Sequence, residues 1–443
     1  MKIKTYKKYC IKYDDIVKRM MLCCIVLSSL QVVTTPIAGL SIFQLFVILT
    51  GMMGFAVLVQ KKRIKIGNYL LFSSLIFFSS ILAFVLSTNK SWGKSYLLLG
   101  ILQAMLTLLI CNFFEFNDLN DLLRAIVQSQ YITILMALYS FYKFYFGGGL
   151  PTRINLGAGF FIDLGNEFLQ RSQAAGQLRL SLPFATPPVL SIVMVMVIII
   201  LVYNKELYQN RKRIILLCCF SAVLLLTGSR TGLVALVLVL GMSYILSLKG
   251  VSLKSMKKQY LLLGGMGIIA VALFLYRFAG SVYFTKLVNR FAIGNIMEDR
   301  HLLVPLDGII IWLSSVRNFI FGIGFGSSSN MVGEHTYLPP YFLNSYVTYI
   351  VERGIMGVII VFQILRLTRF IKHTKKEESQ EFKSFYFSFL AALFSALFYE
   401  TFNCYIIIFV FAIMFLCSQS FVSTKSVKNG EKDGKVINHN SSL

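Results

Sequence analysis

The segment "LLLTGSRTGLVAL" sets Gly228, Ser229, Arg230, Thr231 and Gly232 between two apolar runs. An arginine held there can grip two phosphate or carboxylate oxygens at once through its planar fork. Ser229 and Thr231 add hydroxyl donors, and the small neighbours let backbone and ligand approach closely. The group reads as a clamp for a phosphate at headgroup depth. The ordinary alternative is a tight interhelical turn whose arginine snorkels to the membrane rim. A second arginine, Arg179, stands just before Pro183, Pro187 and Pro188 in "RLSLPFATPP". Prolines stiffen this approach to the next apolar run and favour irregular backbone, which membranes tolerate where it lines a cavity.

Two further stretches carry polar chemistry. In "MEDRHLLVPLDGIIIWLSSVRNFIFGIGFGSSSN", Arg300 precedes an apolar helical pattern with Trp312, and Gly322, Gly324 and Gly326 follow. Such a loop can offer backbone N–H groups to phosphate, or serve as a hinge after a lid helix; it matches no nucleotide-binding motif. In "EHTYLPPYFLNSYVTYIVERGIMGV", Glu334, His335 and Asn344 are followed by Glu352 and Arg353 inside an apolar run. Charges buried there are costly, so they must pair or face a wet cavity. His335, Glu334 and Glu352 are the candidate bases; a loop histidine is more often inert. Asn344 and Arg353 join Arg179, Arg230, Arg300, Ser229 and Thr231 as candidate anion and substrate ligands. Acidic residues expected on this side (Asp163, Glu167, Glu298, Asp299, Asp307, Glu334, Glu352 and Glu400) are too sparse for a divalent-metal cage. The expectation is no metal and no cofactor.

The elements that position these residues are membrane spans. The chain has 443 residues, 56% hydrophobic and 14% charged, far below the roughly 25% charge of soluble domains. Apolar runs near the length a bilayer requires fall at 20–35, 38–59, 69–88, 95–114, 124–146, 182–203, 214–229, 231–248, 259–278, 342–365, 385–400 and 402–421. With about twelve spans, the clusters "QKKRIK", "NRKR", "KGVSLKSMKK" and "RFIKHTKKEESQEFK" all share one side with the basic N-terminus and the lysine-bearing tail. The positive-inside rule makes that side cytoplasmic, with both termini on it. The inner side then holds 23 lysines and seven arginines, the outer side three lysines and nine arginines, and Lys143 lies inside a span. Orientation explains the lysines, so the net charge of +24 does not call for nucleic acid. Orientation does not explain arginines on the far side.

The reading is an all-α bundle over 1–421 with outer loops at 147–181 and 279–341, and a polar, disordered cytoplasmic tail over 422–443. Loops of this length are usually functional. "FFIDLGNEFL" and "DGIIIWLSSVRNFIFGIG" within them are expected as short interfacial helices or lids. The eight cysteines lie in apolar runs or near inner ends, so no disulfide framework is expected. The basic N-terminus leads into an uncleaved first span.

By these stretches, taken in order, the chain resembles the O-antigen ligase and polymerase superfamily. "LTGSRTGL" is the most specific; "RLSLPFATPP", the "R…W…GIGFG" run and "LNSYVTYIVERGIMG" agree in order and spacing. The resemblance implies a helical bundle of the GT-C type in a bacterial plasma membrane, working on undecaprenyl-diphosphate-linked oligosaccharide at the outer face. It implies diphosphate binding by Arg179, Arg230 and Arg300. Partners would be the lipid-linked oligosaccharide, a chain-length regulator and a flippase of the same pathway. Ligases of the family commonly carry His-Asn in the closing stretch; here the residue before Asn344 is Leu343, which accepts no proton. The expectation is therefore a polymerase of repeat units for capsule, O-antigen or exopolysaccharide. The rivals are a ligase that transfers glycan to lipid or protein, a flippase or exporter of lipid-linked oligosaccharide, and a structural protein of the cell-wall machinery.

Overall fold

A computed structural model describes residues 2–163 (apart from 38, 63, 148, 150 and 152), 179–248 (apart from 185), 300–327, 342, 344–375 and 380–436. Helices dominate: α1 Lys2–Leu27, α2 Ile42–Lys61, α3 Asn68–Leu86, α4 Lys90–Phe113, α5 Leu119–Ser129, α6 Tyr131–Phe146, α7 Pro187–Tyr203, α8 Asn210–Leu226 and α9 Arg230–Leu248. Further along the chain come α10 Arg300–Leu313, α11 Val316–Phe321, α12 Ser345–Arg366, α13 Gln380–Ala396 and α14 Tyr405–Val436. Among the described residues, five helical segments are long and apolar enough to cross a membrane: Ile42–Lys61, Asn68–Leu86, Lys90–Phe113, Phe116–Phe146 and Ser345–Ile371. Pro187–Tyr203, Arg230–Tyr244, Val304–Leu313 and Tyr405–Phe421 are shorter apolar helices. The segment 259–278 lies outside the described residues.

Local chemistry fixes where helices begin. Ser41 and Gln44 form a reciprocal capping box at α2: the Ser41 hydroxyl accepts from the Gln44 amide at 3.1 Å, and the Gln44 side chain accepts from the Ser41 amide at 2.9 Å. Pro187 and Pro188 open α7, where a missing N–H costs nothing. Almost every α7 side chain from Val189 to Leu201 is buried, as are those of α14 from Tyr405 to Cys417. A helix that is apolar all round belongs in the core. Helices α2, α3, α9 and α12 instead turn Met52, Phe78, Val237 and Phe362 outward, more than 60% exposed. Exposed apolar residues on helices of this length suit a lipid-facing wall.

Hydrogen bonds tie the connectors into two ends. At the lysine-rich end Lys18 pairs with Asp118 at 2.7 Å, Lys61 pairs with Asp14, and Asn204, Asn120 and Glu381 form a chain of 2.9 Å bonds. At the opposite end the Ser87 hydroxyl donates to the Phe325 carbonyl at 2.6 Å and Gln31 donates to the Pro183 carbonyl at 3.2 Å.

Several expectations are corrected. "FFIDLGNEFL" does not begin as a helix: Phe160–Asp163 is a strand, β3, paired antiparallel with β2 (Arg153–Gly157) and with β1 (Val33–Thr34) in the order β1-β3-β2. The turn "GAG" carries positive φ at Gly157, Ala158 and Gly159, which closes a hairpin and breaks any helix. The expected fifth span lies within the membrane-length segment Phe116–Phe146, but its helix is interrupted at Gln130, whose buried amide donates to Ser29 at 3.2 Å and Ser129 at 2.7 Å. The tail is helical to Val436, because extending a formed helix needs no new nucleus. The stretch after Arg300 is helical as expected, divided by Ser314 and Ser315 into α10 and α11.

Candidate functional site

The sharpest sequence motif forms the corner between α8 and α9. Gly228 takes a left-handed φ of 57° and stops α8, with its amide donating to the Leu225 carbonyl at 3.1 Å. The Ser229 amide donates to the Thr227 hydroxyl at 3.2 Å, and α9 starts at Arg230. Gly232 rests on α7 so closely that a Cβ there would lie 2.6 Å from the Ser191 hydroxyl. Each glycine of "TGSRTG" thus has its own reason: one for the turn, one for contact. Arg230 is exposed, Thr231 is half-buried and Ser229 is buried, its hydroxyl without a hydrogen-bond partner among the described residues.

The Arg179 segment lies against this corner. The Leu180 amide donates to the Leu226 carbonyl at 3.2 Å, so the approach to α7 runs beside the last turn of α8. Arg179 itself is half-buried. The structure therefore brings the backbone segments that bear two of the expected diphosphate ligands together. Arg300 is the first residue of α10, and the position of its side chain is outside the description. His335, Glu334 and Leu343 also lie outside the described residues.

The second concentration of chemistry is buried. Helix α12 is broken at Gly354 (φ 59°, ψ −139°), directly after Glu352 and Arg353. The break frees carbonyls, and the glycine loop satisfies them: Ile323 N–H donates to Val351 O at 3.0 Å and Gly324 N–H to Glu352 O at 3.2 Å. Gly322 has φ 78°, and a Cβ on it would sit 2.5 Å from the Glu352 carbonyl. So "GIGFG" is neither a phosphate cradle nor a free hinge. Its glycines permit backbone contact with a broken helix, and its N–H groups are already engaged.

Around the break, Glu352 and Arg353 are 1% and 3% exposed. One Glu352 carboxylate oxygen accepts from the Gly326 amide at 3.0 Å; the other is 4.0 Å from an Arg353 Nη. The guanidinium stacks 3.9 Å from the Tyr349 ring centroid and 4.8 Å from that of Phe325. The Tyr349 hydroxyl donates to the Gln103 side chain at 3.1 Å. Glu400, on the turn between α13 and α14, belongs to the same group. Burial pushes its carboxyl up to about 8; Glu352 adds to the rise, and Thr348, Arg353 and Ser345 oppose it. The two hydroxyls stand near without bonding to it, since Thr348 donates to the Asn344 carbonyl at 2.9 Å and Ser345 to the Tyr399 carbonyl at 3.0 Å. Neither Glu400 oxygen has a hydrogen-bond partner among the described residues.

Asn344 has structural work. Its side-chain oxygen accepts from the amides of Tyr346 and Val347, capping α12, and its nitrogen donates to the Leu397 carbonyl at 2.9 Å. Glu400 was only an isolated acid in the sequence. The signal that could have found it is the one that marked Glu352, an acid set between apolar runs. Among the described residues no three His, Cys, Asp or Glu side chains gather as metal ligands. No protein-family model, curated protein or solved structure matches the chain.

Proposed function

We propose that this chain is a polymerase of undecaprenyl-diphosphate-linked oligosaccharide repeat units, a twelve-span bundle of the GT-C type working at the outer face of a bacterial plasma membrane. The observation that carries the reading is the Leu180–Leu226 backbone bond, which sets the Arg179 approach beside the Ser229–Arg230 turn. Two arginine-bearing segments that meet at the end of the bundle away from the lysines suit a lipid diphosphate. The motif order that resembles the O-antigen ligase and polymerase superfamily supports the same reading.

In this reaction a growing glycan is held with its diphosphate at the arginines. A sugar hydroxyl of a second lipid-linked unit attacks the anomeric carbon, and the lipid diphosphate leaves with the bonding pair. Negative charge grows on the leaving oxygens, where fixed cations shielded from water stabilise it most. The departure needs no strong acid once the diphosphate is neutralised. A base assists the attacking hydroxyl, a contribution of about 10²–10⁴-fold. Glu352 remains the base candidate within the described residues, beside Glu334 and His335 outside them.

The buried glutamates and arginine favour one rival, an exporter of lipid-linked oligosaccharide, because ionisable groups inside membranes often mark transport paths. One experiment separates the two. Purified protein in liposomes should lengthen undecaprenyl-diphosphate oligosaccharide into a ladder without ATP or nucleotide sugar. Movement of the lipid-linked unit across the bilayer with no lengthening would overturn the polymerase.

A further inference from the structure

The buried cluster holds a charge imbalance that diphosphate binding does not use. One guanidinium, Arg353, is electrostatically coupled to two carboxyl groups, Glu352 and Glu400, and each of the three is more than nine-tenths buried. Removing a net charge from water is costly even after the surroundings relax. Two ionised glutamates beside one arginine would leave such a charge. The hydrogen bonds tell the same story. Glu352 has a backbone donor on one oxygen and the arginine beyond the other. Glu400 has none, and the Gln103 side-chain nitrogen and Arg353 Nε also lack partners among the described residues.

We propose that Glu352 and Glu400 form a binding site for one exchangeable proton, held beside Arg353 at the end of the bundle away from the lysines. Glu352 is the ionised partner of the arginine, and Glu400 carries the proton. Glu400 stands on the turn at the edge of the cluster, 8% exposed with both carboxylate oxygens buried, whereas Glu352 is 1% exposed at the helix break. The titratable and charged groups around Glu400 are Glu352, Arg353 and Tyr349 from α12, Tyr96 from α4 and Tyr399 from its own turn. Tyrosine and arginine titrate well above neutral pH in their ordinary forms, which leaves the two glutamates as the coupled pair. The raised value of about 8 agrees: the proton is kept at neutral pH and lost as the pH climbs through that range. Within the polymerase reading, on which this step alone rests, Glu400 takes up the proton of the attacking hydroxyl once it has released the one it holds, and Glu352 stays ionised beside Arg353. The O–H pair stays on that oxygen and becomes the new C–O bond.

The test is infrared difference spectroscopy on the full chain in lipid, from about pH 6 to about pH 10. The wild type should lose the carbonyl band of one protonated carboxylic acid as pH rises, and Glu400→Gln should abolish that titrating band. Glu352→Gln removes the neighbouring negative charge and frees Arg353 to pair with Glu400, so the midpoint should fall by at least one unit. That variant keeps the proposal testable should Glu400→Gln fail to fold, which circular dichroism would reveal. A wild type with no titrating band, a band that survives Glu400→Gln, or a midpoint unmoved by Glu352→Gln would overturn the site. None of these readings uses chain lengthening, so an inactive polymerase and an absent proton site are separate results.

Discussion

Arg230 and Arg353 are the same residue type at the same end of the bundle, yet their surroundings assign them different work. Arg230 begins a helix at an exposed corner, next to a glycine turn, with a buried serine hydroxyl behind it. Arg353 is 3% exposed, stacked between two aromatic rings and set against Glu352. A cation at a rim can accept an incoming anion. A cation in the core is balanced by the carboxylate already there, and a diphosphate could reach it only by displacing that group. The lesson is that an outer arginine is a ligand candidate by its exposure, not by side of the membrane alone. Arg153 makes the point again: its guanidinium lies 3.4 Å from the Phe161 ring centroid, and its strand partner is Asp163.

The largest effect that could break this comparison is at Arg353. Arg353→Met should cost about 3–5 kcal/mol, the usual penalty for leaving a buried charge without its partner. Denaturant unfolding of the purified protein measures it. Adding Glu352→Gln to the same chain should restore most of the loss, a coupling of more than about 1 kcal/mol. Stability of the single variant should also recover as pH falls and the abandoned carboxyl takes up a proton. Wild-type stability in Arg353→Met would mean the core cluster has no internal balance, and the contrast with Arg230 would vanish.

The rim makes the opposite prediction. Arg230→Ala should leave protein level and unfolding unchanged while lowering the rate of chain lengthening by about 10²–10³-fold, the scale of one lost transition-state donor. Arg230→Lys keeps the charge without the fork and should fall between. Equal activity of lysine and arginine would reduce the corner to a point charge.

The sequence made the apolar helices and the "TGSRTG" corner legible because both are local patterns: periodicity, proline at a helix start and glycine in a turn. Three features were not legible. β3 was read as helix because a short apolar run fits either element, and its partner Val33–Thr34 lies far upstream. The broken α12 depends on a loop from beyond the preceding helix. Glu400 gains meaning only when its turn meets α12. For α12 and Glu400 the deciding contact joins distant segments, which no local period records; for β3 it is the neighbouring "GAG" turn to β2, with Val33–Thr34 added from far upstream. Gly322→Ala tests the second of these. A methyl group there meets the Glu352 backbone and forces a left-handed φ on alanine, so about 1–3 kcal/mol of stability should be lost. Unchanged stability would restore the loop to a hinge free of α12.

The smallest expected effect lies between the two regions, at Asn344. As a cap it should be worth about 1 kcal/mol on replacement by alanine, and serine or aspartate should recover nearly all of it. As a substrate ligand it would behave differently: alanine would lower the rate of chain lengthening far more than the stability, and serine or aspartate would not rescue. The structure favours the cap, because both ends of the side chain are engaged. Its nitrogen also reaches Leu397 at the start of the turn that carries Glu400. Serine restores the cap but not that reach. A variant Asn344→Ser with normal stability but an altered Glu400 titration would therefore show that this side chain holds the turn in place, whereas a titration matching the wild type would leave it a helix cap alone.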